Sequence, residues 1–293
     1  MRLIDSYRKL CHKCIKIMHY FYLLRLHQWA KNLLVFIPIF FAGEIFITGK
    51  LLASIFAFFS FSFAASAGYI LNDIIDCESD KKNTKKKDRP LASGKISIQE
   101  ARVLLAIMGS VAVVVAWIGV PTLLPLLGAY FLLNVSYTYK LKHIVIFDIL
   151  VISIFYLMRV VGGGLVSSTP ISGWLVLCII FGSLFIIIGK RKAELGQVYK
   201  REVLQYYTAN LLDHLLTISI TLVIASYAMY SVLGVQSSIF VYSNIFVLMG
   251  IFRYLYLVYT VPIMESPEIA VFRDKVIAGS VLCWLLFVFV VFY

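Results

Sequence analysis

Charge is scarce in this chain, and negative charge is scarcest. There are 15 Asp and Glu against 27 Lys and Arg in 293 residues, 14% charged in all, while 61% are hydrophobic. A water-soluble domain of this size needs far more polar surface, so the shortage excludes one and leaves lipid as the solvent. Linkers are missing too: no Pro-, Gly- or Ser-rich stretch separates two halves, and no solenoid-length repeat appears. The cysteines are few: Cys11, Cys14, Cys77, Cys178 and Cys283. Cys11 and Cys14 form a lone CxxC with no second pair at zinc spacing, which argues against a metal–thiolate or redox centre. The five His show no metal spacing, and there is no Ser/His/Asp or Cys/His arrangement to suggest nucleophilic catalysis. The first 20 residues carry Arg2, Asp5, Arg8, Lys9, Lys13 and Lys16 with no uninterrupted apolar run, so a cleavable signal peptide is not expected.

What the chain does have is a series of apolar runs. They fall near 33–48, 51–71, 101–119, 122–139, 145–166, 173–189, 213–233, 239–260 and 276–292. A helix rises about 1.5 Å per residue, so ~20 residues cross a ~30 Å hydrocarbon core. Lipid offers no partner for open backbone groups, so the spans are expected to be helices. The expected fold is therefore all-α and polytopic, with nine transmembrane helices. Residues 1–32 read as an amphipathic interfacial segment and 33–293 as the transmembrane domain. Within the former, Leu3, Tyr7, Leu10, Cys14, Ile17, Phe21 and Leu24 recur at helical steps, giving a helix over 3–26 with its lysines near anionic head groups.

The basic residues set the orientation. With the N-terminus inside, the segments 1–32, 72–100, 140–144, 190–212 and 261–275 hold 23 of the 27 Lys and Arg. Arg102 and Arg253 lie at inner span ends, Lys50 falls outside, and Arg159 is deep in a helix. This asymmetry predicts a cytoplasmic N-terminus and a cytoplasmic charged face. It also explains the net charge of +12 through the membrane, with no nucleic-acid partner.

Chemistry concentrates after the second span, at Asn72-Asp-Ile-Ile-Asp76-Cys-Glu-Ser-Asp80. If the second helix continues, Asn72, Asp76 and Asp80 lie at i, i+4 and i+8, with Asp73 beside them. Acids packed on one side repel, so a cation is needed, and an all-oxygen set favours Mg²⁺. Glu78 points elsewhere. The basic stretch Lys81–Pro90 follows, with Lys86 and Arg89, and acids beside cations suit a Mg²⁺-bound diphosphate. The competing reading is a basic stop-transfer loop with incidental acids.

Asn72-Asp73-x-x-Asp76-x-x-x-Asp80 followed by Arg89-Pro90 resembles the first aspartate-rich motif of the UbiA superfamily of intramembrane prenyltransferases. The resemblance implies a nine-helix bundle and Mg²⁺-dependent chemistry on diphosphates at a cytoplasmic-side site, over nearly the whole chain. Typical members carry a second Asp-rich cluster after the sixth span. This chain has Gly189-Lys-Arg-Lys-Ala-Glu194 there. Lys190, Arg191 and Glu194 suit a directly gripped phosphate better than a second Mg²⁺. That substitution is similar to the polyprenyl-phosphate phosphoribosyltransferase branch, of the decaprenyl-phosphate type. Leu26-His-Gln28-Trp29-Ala-Lys31-Asn32, Leu141-Lys142 with Asp148 and Arg159, Arg253-Tyr254, Ser266-Pro-Glu268 and Arg273-Asp274-Lys275 also fit it. The branch often has His-Pro where this chain has Asn83-Thr84.

The resemblance implies a membrane-bound transferase of a prokaryotic plasma or inner membrane, serving cell-envelope biosynthesis. It would move a 5-phosphoribosyl group from 5-phosphoribosyl diphosphate to a polyprenyl phosphate. Asp73, Asp76 and Asp80 would hold Mg²⁺, with Asn72 orienting. Gln28, Lys31, Lys86, Arg89, Lys142, Arg159, Lys190, Arg191 and Glu194 would bind substrate. For Arg159 a structural ion pair with another helix is an equal reading, and for Trp29 an interfacial belt. Gly162-Gly-Gly164 reads as close helix packing or a bend. A homo-oligomer is compatible with the sequence. The alternatives are prenyl transfer from a polyprenyl diphosphate to an aromatic or lipid acceptor, which predicts a second acid cluster, and a transporter of phosphorylated metabolites. Transport would spread polar residues through the membrane depth, whereas here they gather on one face.

Overall fold

The computed structural model describes residues 16–84, 86–195, 202–235, 237–260 and 274–293, and among these there is no strand. The CxxC, most of the N-terminal amphipathic stretch, Ser266–Glu268 and Arg273 lie outside the described residues. In chain order the helices are α1 (16–24), α2 (Ile37–Phe41), α3 (Thr48–Ile75), α4 (Cys77–Lys82), α5 (Ile98–Gly119) and α6 (Leu124–Tyr139). They continue with α7 (Phe147–Ser167), α8 (Gly173–Leu195), α9 (Ala209–Met229), α10 (Asn244–Thr260) and α11 (Lys275–Phe292). Short 3₁₀ pieces adjoin several of them, and α9 runs on as a π-helical turn, Tyr230–Gly234.

Seven helical stretches among the described residues are long and apolar enough to cross a membrane. They are Thr48–Ile75, Ile98–Gly119, Phe147–Ser167, Gly173–Leu195, Ala209–Gly234, Ser238–Thr260 and Lys275–Phe292. The protein is an integral, multi-pass membrane protein. Two expected spans are built differently. The run near 33–48 is an 11-residue 3₁₀ helix, Leu26–Phe36, followed by the five-residue α2. Pro38 stands in the first turn of α2, and Gly43 turns the chain at φ +71°. The run near 122–139 is the 16-residue α6 entered through a 3₁₀ turn at Pro121–Leu123.

The chain forms two compact units. One comprises residues through Val35 together with Leu52–Lys140, and the other Phe36–Leu51 with Leu141–Tyr293. In the first, α3 buries small residues, among them Ser60, Ser62, Ala64, Ser66 and Gly68. Small side chains let helices approach closely where lipid supplies no hydrophobic drive between them. Ser60 Oγ donates to the Ala112 carbonyl of α5 at 2.9 Å, and a Cβ on Gly68 would sit 2.4 Å from Asn134 Oδ1 of α6. A capping box starts α5: Ser97 Oγ accepts from Glu100 N at 3.2 Å, and the Glu100 carboxylate accepts from Ser97 N at 2.9 Å. Leu23 of α1 is buried against Ile70, Leu91, Ile96 and Ala101, while Ile17, Met18, Phe21 and Tyr22 are exposed.

In the second unit α7, α8, α9 and α10 share a core built on Ile149, Phe185, Ile188, Leu212, Leu216 and Tyr254. Buried hydroxyls tie α7 to α8: Ser153 Oγ lies 2.6 Å from Ser183 Oγ and donates to the Ile180 carbonyl at 3.1 Å. Gly162–Gly164 is buried, and a Cβ on Gly164 would meet Ile171 of the loop that follows α7 at 2.6 Å. Asp274 caps α11, accepting from Val276 N and Ile277 N at 3.0 Å each.

Candidate active site

The acids stand where α3 ends. Helical backbone bonding carries on through the kink at Asp76, with Asp76 N donating to Asn72 O at 2.9 Å and Asp80 N to Asp76 O at 2.8 Å. The i, i+4, i+8 register of the motif therefore survives the break between α3 and α4. Side chains divide into two sets. Asp73 and Asp80 are buried, 4% and 3% exposed, and one nitrogen holds both: Arg89 Nη1 donates to Asp73 Oδ1 at 3.0 Å and to Asp80 Oδ2 at 2.7 Å. Those oxygens are thus no farther apart than the two distances combined. Arg25 Nη2 donates to Asp73 Oδ1 at 2.6 Å, and Lys86 Nζ lies 3.6 Å from Asp80 Oδ1. Asp76 instead accepts from Asn72 Nδ2 at 2.9 Å.

Among the described residues, no three His, Cys, Asp or Glu side chains come together as a ready ligand cage. The triad expected from spacing is thus a bridged pair, Asp73 with Asp80, plus Asp76 turned to Asn72. The donors still suit a hard cation, being all oxygen, with two of them already gathered around one positive atom. Cys77 lies beside them but offers no soft ligand: burial raises its thiol pKa, and Sγ points to the Leu91 carbonyl. Glu78 is exposed and pairs with Lys81 at 2.6 Å, as expected.

Gln28 and Lys31 are half-buried on the 3₁₀ segment Leu26–Phe36. Two bonds fasten that segment to α3. Trp29 Nε1 donates to Ser66 Oγ at 3.0 Å, and Asn32 Nδ2 to Ser62 Oγ at 2.9 Å. Trp29 also packs edge-on against Phe63 and Phe59. Its role in this unit is to hold the segment in place. Arg25, which enters this segment at φ +52° with its guanidinium 5.0 Å from the Tyr69 ring, was absent from the sequence-based set. Its only signal was a basic residue directly before Leu26-His-Gln-Trp-Ala-Lys.

The second unit brings Asp148, Arg191, Glu194 and Tyr207 together. Asp148 is fully buried and Arg191 is 1% exposed. Arg191 Nε donates to Asp148 Oδ2 and Nη1 to Glu194 Oε2, both at 2.9 Å. Tyr207 Oη donates to Asp148 Oδ1 at 2.6 Å and accepts from Ile146 N at 2.8 Å. Burial, with the Asp148 carboxylate, pushes the Tyr207 phenol well above its usual range, which keeps it a donor. Arg191, expected to grip a phosphate, is clamped between two carboxylates. Asp148 shares α7 with Arg159 but pairs with Arg191 of α8. Arg159 is buried and donates to Phe155 O one turn earlier. Lys190 and Lys142 are half-buried, the latter on the 3₁₀ turn Leu141–His143. Lys192 pairs with Asp213 and lies over the Tyr259 ring, whose Oη donates to Asp213 at 2.6 Å. Tyr207 and the Lys192–Asp213–Tyr259 group carried no local sequence signal, since their partners are remote in the chain.

Fold and clusters define an integral helical membrane protein with paired acids and guanidinium groups at the end of one helix. The chain belongs to the UbiA prenyltransferase family, whose pattern it matches over residues 33–276. It is 33% identical over 273 residues to the decaprenyl-phosphate phosphoribosyltransferase of Mycobacterium tuberculosis, covering 89% of this chain and 90% of that one. The enzyme of the same name from Mycolicibacterium smegmatis is 32% identical over 216 residues, 71% of this chain and 68% of that one. With these relatives, the chain is a transferase. Among solved structures it is similar to a UbiA homologue from Archaeoglobus fulgidus bound to GPP and Mg²⁺, with TM-score 0.72 and 13% identity, covering 94% of this chain and 99% of that one. A structure of digeranylgeranylglyceryl phosphate synthase gives TM-score 0.64 at 19% identity, with 94% and 98% covered. The structural likenesses establish the fold.

Proposed function

We propose that this protein transfers a 5-phosphoribosyl group from 5-phosphoribosyl diphosphate to a polyprenyl phosphate, at a site on the cytoplasmic face. The observation that carries the reading is the bridged pair Asp73 and Asp80, a gathered, buried anion held by cations of the chain. The phosphoribosyltransferase relatives, similar over nearly the whole chain, supply the substrate class.

Asp73, Asp80 and Asp76 would hold Mg²⁺, which when bound neutralises diphosphate oxygens and makes diphosphate a better leaving group. In the reaction the bond from ribose C1 to the diphosphate oxygen breaks, and a bond from an acceptor phosphate oxygen to C1 forms. The acceptor oxygen is already anionic, so no general base is required. Arg25, Arg89 and Lys86 stand beside the acids to meet phosphate oxygens. Asn72 orients Asp76. Gln28 and Lys31, on the segment fastened to α3, contribute further polar contacts. Lys142, Arg159 and Lys190 are further substrate-binding candidates by resemblance, and Arg191 with Glu194 orders the end of α8.

The polyprenyl tail lies in an apolar groove of about 630 Å³ between α3, α5 and α6, lined by Gly68, Leu71, Leu105, Gly109, Phe131 and Asn134. Gly68 is one helical turn from Asn72, so the groove begins next to the acids. The segments 26–41 and 121–139 supply the two crossings that bring the seven long helices to nine. The reading against which this one is set is prenyl transfer from a polyprenyl diphosphate. It needs acids at the end of α8, where the described side chain Glu194 is engaged by Arg191.

The test is an assay of purified protein with radiolabelled 5-phosphoribosyl diphosphate and a polyprenyl phosphate, run beside a prenyl diphosphate with an aromatic acceptor. Label moving into lipid only in the first pair, and only with Mg²⁺, is expected. Product only from the second pair would replace this reading by the prenyltransferase one.

A further inference from the structure

Two of the three motif acids already hold cations that belong to the chain. Arg89 Nη1 spans Asp73 and Asp80, and Arg25 Nη2 takes the same Asp73 oxygen. The carboxylates are buried, whereas both arginine side chains are 22% exposed. The guanidinium groups are thus more exposed than the acids they hold. Two carboxylates this near each other in a buried setting call for opposite charge beside them. Arg25 and Arg89 provide it, from positions set by the junction before the 3₁₀ segment and by the loop after α4.

A divalent cation that binds Asp73 and Asp80 has to take oxygens that these two groups hold. If it arrives alone, two guanidinium groups lose their partners and nothing replaces them. If it arrives with a diphosphate, they exchange carboxylate oxygens for phosphate oxygens of the same charge type. We propose that Arg25 and Arg89 are placeholders that make metal loading conditional on the diphosphate. They suppress capture of bare metal and keep the acids gathered until metal and diphosphate bind together. This rests on the function proposed above, and it gives Arg25 and Arg89 a second role, on the acids, before they meet the diphosphate.

The experiment uses the full chain in lipid nanodiscs and isothermal titration with two probes, Mg²⁺ alone and Mg²⁺ with inorganic diphosphate. The proteins are wild type, Arg25→Gln, Arg89→Gln, Arg25→Lys and Asp73→Asn. Removing a competing charge-assisted pair is expected to tighten binding of Mg²⁺ alone by about tenfold in both Gln variants. The same variants are expected to bind Mg²⁺ with diphosphate more weakly than wild type, so the order of affinities reverses between probes. Arg25→Lys, which keeps the charge and loses the fork, is expected to fall between, and it remains informative if a Gln variant does not fold. Unchanged or weaker binding of Mg²⁺ alone in the arginine variants would overturn the placeholder role. Wild-type binding of Mg²⁺ with diphosphate by Asp73→Asn would instead overturn the acid site itself, so the two failures are distinct.

Discussion

Asp73 and Arg191 are both buried and ion-paired, yet they call for opposite expectations. Arg191 sits between Asp148 and Glu194 with 1% exposure, and its loss leaves a buried carboxylate without its charge partner. Arg191→Ala should therefore lower stability by about 3–5 kcal/mol, read as reduced resistance to denaturant in micelles. Lys190→Ala, at a half-buried neighbour, should leave stability near wild type and raise KM for one phosphate-bearing substrate. An unchanged KM for both substrates would remove Lys190 from the site. Asp73→Asn should keep the fold and cut kcat by at least about 10². Asp274 adds a pH dependence. The Arg253 guanidinium, with the two N–H groups it caps, lowers the Asp274 pKa below the usual carboxylate range. A depressed value means the contribution is fully present above the unfolded pKa, near 4, and is lost as pH falls from there through the lower folded pKa. Melting temperature followed from pH 6 to 3 should drop more in wild type than in Asp274→Asn.

At the scale of elements, the 26–43 stretch shows how local chemistry breaks an apolar run into short pieces. Pro38 fixes the start of α2 and Gly43 ends it in the left-handed region, with Phe292 O 2.9 Å from where a Cβ would be. Gly43→Ala should cost about 1–3 kcal/mol, because both backbone strain and the carbonyl contact oppose it. Gly49, in the first turn of α3 with nothing within 4 Å of its Cβ position, is the control. Gly49→Ala should be neutral or stabilising by up to about 1 kcal/mol, as helix propensity predicts. The two melting temperatures should move in opposite directions or differ clearly. The acid register held through the α3–α4 break because backbone bonds from Asn72 to Asp80 stay helical across it. Which acid met which partner was not written in that spacing. The faces of a helix are set by period, but Arg89 and Arg25 reach those faces from other segments.

At the scale of the whole molecule, the distribution of Lys and Arg predicts sidedness. Single cysteines placed at Lys87 and at Ser172, in a chain without its five native cysteines, should label from opposite sides of sealed vesicles, with Lys87 cytoplasmic. Labelling of both from one side would overturn the orientation proposed here. Family membership and the seven long helices agree with a chain that solves its backbone hydrogen bonding inside helices throughout the described spans.

The order of helices, the membrane setting and the acid motif were set by the sequence alone, because each depends on runs and spacings within a few turns of one helix. Pairing was decided by tertiary structure. Arg25 on Asp73, Arg89 across Asp73 and Asp80, and Arg191 with Tyr207 on Asp148 join residues 9 to 59 positions apart. A buried charge takes whichever opposite charge packing brings within reach, and nothing in local periodicity says which segment that will be.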